Sequence, residues 1–175
     1  RLRPSELNRE KPLAQLLGSG PLLTESVKAQ DLLEQKYGVS AEVFSVTSYK
    51  ELRRDGKDVE RHNLFHADQK PKTPYVAQAL GKEPGVVVAT SDYLKMLPDS
   101  LARWIPKPLV SLGTDGFGRS DTRKRLREFF EVDHRFVVIG ALAELLRQGK
   151  VKADVYKQAI KDLEVDVNKL NPMIS

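Results

Sequence analysis

Residues 111–130 read "SLGTDGFGRSDTRKRLREFF". An apolar opening is followed by three glycines within six positions and then by a charged segment of helical periodicity. That order predicts a strand, a tight loop and a helix. Turns of this kind hold phosphates or border active sites, because strand ends and helix N-termini meet there. At helical spacing Leu126, Phe129 and Phe130 form a buried stripe. Arg123, Lys124 and Arg127 then point outwards, as a phosphate-binding face or as a solvated or subunit-facing surface.

The same alternation recurs along the chain. "LAQLLGSG" reads as a buried strand, and "LLTESVKAQDLLEQKYG" as a helix carrying Leu23, Val27, Leu32 and Leu33 and stopping at Gly38. "AEVFSVTS" is a β-branched strand, and "YKELRRDG" a short helical turn ending at Gly56. Residues 59–74 read as irregular and polar, with two prolines. "YVAQALG" is helical, "GVVVATS" is the clearest buried strand, and "YLKMLPDSLARWIP" is a helix interrupted by Pro98. "LVSLGTDG" is the fourth strand. The closing helices are "DTRKRLREFFE", "RFVVIGALAELLRQG", capped by Asp133, and "ADVYKQAIKDLE". Strands this apolar must be covered on both faces, which predicts an α/β fold with a doubly wound, mostly parallel sheet between helices. Residues 1–11 are expected to be a disordered lead-in, and residues 12–175 the domain.

Composition narrows the function classes. A chain of 175 residues fits one domain and can bury roughly 70% of its unfolded surface. The absence of cysteine excludes disulfides, iron–sulfur clusters, thiolate zinc sites and cysteine nucleophiles, and favours a reducing compartment. Apolar runs such as "FVVIGALA" fall far short of the ~20 residues that cross a bilayer. "RLRPSELNREKP" has no apolar core for a signal peptide. It also lacks an initiator Met, so the chain is expected to be part of a longer one. The net charge of +5 is mild, and the bases are interspersed with acids except at "RKRLR". Neither nucleic acid nor membrane is expected as a partner.

Four chemical motifs can be weighed. "GSGPLL" resembles the start of a dinucleotide fingerprint, but Leu23 stands at the third glycine position and no acid ends the second strand. Helix–strand packing explains the two glycines as well. His62 and His66 are four apart, with Glu60 and Asp68 nearby, yet an irregular segment does not hold them as a metal site. His134 reads as a solvated helix-start residue. No nucleophile-elbow motif supports a serine hydrolase.

Beyond these, "SLGTDGFGRSDTRKRLREFFEVD" closely resembles the C-terminal domain of the homodimeric decarboxylase component of bacterial pyruvate dehydrogenase complexes, a thiamine diphosphate enzyme of the transketolase superfamily. "QLLGSG", "YGVSAEVFSVTSYKELRRDG", "ERHNLFH", "TPYVAQAL", "TSDYLK" and "NKLNPMIS" are similar to that family in the same order. The family typically has Trp at His62 and Pro at Ala67. The resemblance implies a five-stranded sheet, with an antiparallel edge strand added to the four legible ones. It also implies that thiamine diphosphate and magnesium are bound by upstream domains through a G-D-G…N-N motif absent here, so this segment holds neither catalytic residues nor cofactor. The implied partners are those upstream domains, the second subunit of a homodimer and the dihydrolipoyl acetyltransferase of the complex, in the bacterial cytoplasm. Asp115, Gly116, Phe117, Gly118, Arg119, Ser120 and Asp121 are expected to form an exposed, mobile loop facing the active centre. Ser120 or Asp121 is expected to cap the helix, with Gly113, Gly116 and Gly118 supplying the bend. The alternative is a free-standing α/β module that binds a nucleotide or an acidic partner through "GSG" or "RKRLR".

Overall fold

Apolar residues on both faces of each strand dictate a sheet sandwiched between helix layers, and the computed structural model, which describes residues 1–8 and 11–174, has that form. The strands are β1 (Leu13–Ser19), β2 (Ser40–Val46), β3 (Val86–Ser91) and β4 (Leu109–Gly113). They are all parallel and lie in the order β2-β1-β3-β4.

Register sets the two cores. Val43, Leu16, Val88 and Val110 align across the sheet and face α1 (Leu23–Tyr37), α6 (His134–Arg147) and α7 (Ala153–Asp162). One residue on, Phe44, Leu17 and Ala89 align on the opposite face. They pack against α2 (Tyr49–Phe65), α3 (Tyr75–Leu80) and the segment Leu101–Ile105. The chain winds outwards from β1 to β2 through α1, then returns across the other face to β3. The winding therefore reverses between β1 and β3, and their carboxyl ends open the crevice where ligands of such sheets gather.

Three expectations are corrected. Among the described residues the sheet has four strands, not five. At the outer edge of β2 Arg3 alone among the described residues pairs antiparallel, with Val43. Leu2 N and Arg3 N donate to the Val43 carbonyl at 2.8 and 3.1 Å, and Val43 N donates to that of Arg3 at 2.8 Å. The lead-in thus begins along β2 and α1: Arg3 meets Asp31 at 2.7 Å, and Ser5 Oγ donates to Glu34 at 2.5 Å. Arg9 and Glu10 of that lead-in lie outside the described residues.

The second correction concerns Gly56, which does not end a helical turn. α2 runs 17 residues from a Ser48 cap, whose Oγ accepts from Glu51 N at 3.2 Å, and it includes His62. Glycine is needed because a Cβ at position 56 would stand 2.6 Å from the Trp104 ring. Third, the helix expected over residues 93–106 is split into α4 (Met96–Asp99) and a 3-10 turn, Ala102–Trp104. That turn delivers Trp104 to Gly56.

Gly56→Ala should therefore destabilise the fold by about 1–2 kcal/mol, the overpacking strain exceeding the gain in helix propensity. Chemical denaturation tests this, and a variant as stable as the parent would contradict it.

Candidate functional site

The loop after β4 is joined to the loop after β3 before it reaches solvent. Gly113 ends the strand where a Cβ would come 2.6 Å from the Tyr93 carbonyl and 2.8 Å from Lys95 N. Thr114 N donates to the Tyr93 carbonyl at 2.9 Å. Asp115 Oδ1 accepts from Lys95 N at 2.9 Å, with Lys95 Nζ 3.7 Å from Oδ2. Gly116 alone of the three glycines takes a left-handed backbone, φ +82°, which favours glycine. From there to Lys124 the chain is exposed, and Phe117 is 96% exposed. The Arg119 guanidinium stands 4.4 Å from the centre of the Phe129 ring. Neither Ser120 nor Asp121 caps α5 (Arg123–Phe129): Thr122 does, its side chain accepting from Arg125 N at 3.4 Å. Asp121 Oδ1 instead accepts from Thr122 N at 2.6 Å.

Against α5 and the start of α6 (His134–Arg147) lies a carboxylate that sequence reasoning missed. Glu25, in the first turn of α1, is 3% exposed. Its Oε1 accepts from Arg127 Nη1 and Lys28 Nζ, each at 3.0 Å. Its Oε2 accepts from His134 N at 3.1 Å and Nδ1 at 2.7 Å. Burial alone would raise this carboxyl, but the hydrogen bonds from His134 and Lys28 outweigh it and pull the pKa down to about 2. His134 is therefore a bound, partly buried partner rather than a solvated residue, and Arg127 points inwards to Glu25 and to the Pro21 carbonyl. Leu126, Phe129 and Phe130 do form the inner stripe of α5.

These commitments decide the other motifs. Gly18 in "GSG" is where a Cβ would lie 2.6 Å from Leu23 Cα, so this glycine lets α1 pack on β1. The imidazoles of His62 and His66 stack with centres 4.3 Å apart, and the His62 carbonyl accepts from His66 Nδ1 at 2.9 Å. Among the described residues no three His, Asp or Glu side chains are grouped to hold a metal. Asp115 and Asp121 each commit one carboxylate oxygen to a backbone amide. A cleft of about 860 Å³ opens at the other end of the sheet, lined by Ser5, Gln15, Glu42, Leu80 and Glu83 among others. Gln15 within it is bonded to Glu42, Leu80 and Lys107, which marks a structural network at the amino edge.

The structure is a doubly wound α/β domain with an exposed loop at the carboxyl edge of its sheet. The model of the transketolase-like TK C-terminal domain matches residues 2–133, and the chain belongs to that family. It is 48% identical over 160 residues to the pyruvate dehydrogenase E1 component of Pseudomonas aeruginosa, covering 91% of this chain and 18% of that protein. To the same component of Escherichia coli it is 43% identical over 166 residues, covering 94% of this chain and again 18% of the relative. The chain thus spans about a fifth of the length of these relatives. A solved split-gene transketolase, an inactive β4 tetramer, shares the fold, with a TM-score of 0.50 at 19% identity over 78% of this chain and 40% of that one.

A folded-state pKa of about 2 against an ordinary 4.5 means that the contribution of Glu25 is complete above pH 4.5 and is lost as pH falls through 2. Glu25→Gln should cost on the order of 3 kcal/mol at pH 7, and the two proteins should converge towards pH 2. Urea unfolding across that range checks it; a constant gap would contradict the assignment.

Proposed function

We propose that this chain is the C-terminal domain of a bacterial pyruvate dehydrogenase E1 subunit. The observation that carries the reading is sequence identity above 40% over more than nine-tenths of the chain with proteins of that name. In such an enzyme thiamine diphosphate and magnesium are bound by upstream domains. Pyruvate is decarboxylated there, and the acetyl group passes reductively to the lipoyl group of the dihydrolipoyl acetyltransferase. The subunit works as a homodimer within a multienzyme complex of the bacterial cytoplasm. No helix among the described residues is long and apolar enough to cross a membrane.

In this setting the loop Asp115–Asp121 faces the cofactor-binding domains and orders the entrance to the active centre. Its backbone is anchored at Asp115 and at the Thr122 cap, which leaves the exposed Phe117 and the chain around it as the contact surface. It binds and orients but moves no proton. A free-standing nucleotide or acidic-partner module has weaker support: Gly18 is occupied by helix packing and Arg127 by Glu25.

In the full-length enzyme, Arg119→Ala and Asp121→Ala should each lower kcat/KM for pyruvate about tenfold by loosening the entrance. The melting temperature should barely move, as expected of exposed positions. Unchanged turnover in both variants would reduce the loop to packing.

A further inference from the structure

After α7 the chain turns back across the carboxyl edge. Lys169 Nζ donates to the carbonyls of Glu128 at 2.9 Å and Phe129 at 2.6 Å, and lies 3.4 Å from Glu131 Oε1. It thereby closes the end of α5, where helical partners run out. The same ammonium stands 5.4 Å from the centre of the Phe129 ring, the ring that Arg119 of the loop approaches to 4.4 Å. Aromatic faces attract such cations.

Beyond Lys169 a turn is closed by Ile174 N donating to the Asn171 carbonyl at 3.0 Å and Met173 N donating to Asn171 Oδ1 at 2.9 Å. It seats Met173 against the loop: a Cβ on Gly116 would stand 3.5 Å from Met173 Cα. The tail therefore lies beside the loop at Gly116 and reaches Arg119 through Phe129. It also lies outside residues 2–133, the part that the family model describes.

We propose that Lys169 is a positioning residue, and that the tail is a strap holding the loop Asp115–Asp121 in one conformation. What the held loop does rests on the function proposed above; how it is held does not. Lys169 acts by fixing Phe129, so that Arg119 has a ring to rest on and Gly116 a wall. Removing the ammonium frees the last turn of α5, Phe129 and the loop together.

Phe117 offers a direct readout, because chymotrypsin cleaves after an exposed aromatic residue only where the surrounding backbone can open. In the 175-residue chain, Lys169→Gln should raise the rate of cleavage after Phe117 about five-fold. Cleavage after Phe65, which is 65% exposed at the end of α2, should stay unchanged. Lys169→Arg, which keeps the charge and the donors, should restore the parent rate. An unchanged rate after Phe117, or equal increases at Phe117 and Phe65, would overturn the assignment. Since no catalysis is read, failure here leaves the place of the loop in the active centre standing, and the Arg119 and Asp121 variants decide that separately.

Discussion

The carboxyl edge of this domain depends on one buried carboxylate. Glu25 joins α1 to the end of α5 through Arg127 and to the start of α6 through His134. A lone buried carboxylate would be costly, and removing one partner of such a group leaves the other uncompensated. The four donors therefore act as a set: each is fixed in direction because the others are. α1 enters from the "GSG" turn, and α5 and α6 arrive from far along the chain, so this cluster sets how the closing helices sit on the sheet. The loop after β4 inherits its position from that arrangement, since α5 begins where the loop ends.

Double winding explains why anchored and exposed groups lie so close together. The chain leaves β1 in one direction and β3 in the other, which opens the edge between them and brings the loops after β3 and β4 side by side. Gly113 lets those loops approach, and Asp115 holds them by accepting from Lys95 N. Past that staple the backbone turns left-handed at Gly116 and projects Phe117 almost wholly into solvent. Aromatic rings are enriched at contact surfaces between proteins, and this one stands on an anchored base.

The layers were legible because strands buried on both faces leave continuous apolar runs. "GVVVATS" and "LAQLLGSG" can belong only to a covered sheet, and Asp133 was readable as a cap from its place before an apolar run. Long-range features left no such trace. The bond from Glu25 to His134 spans 109 residues, and that from Lys169 to Phe129 spans 40, so neither charge looks different from a solvated one in a linear reading. Gly56 misled for a physical reason: glycine usually punctuates a helix, but here it seats Trp104, a residue 48 positions away. The edge strand was misjudged in another way, because a single residue of antiparallel pairing at Arg3 does not extend into a strand. The family resemblance supplied the exposed loop, while its actual cap, Thr122, followed only from the geometry.

The central claim is that the surface around Phe117 is a contact face in a larger enzyme. Hydroxyl-radical footprinting of Phe117 tests it most directly. The ring should be oxidised readily in the 175-residue chain, where it is 96% exposed, and several times more slowly in the full-length subunit. Equal rates in the two would contradict the claim.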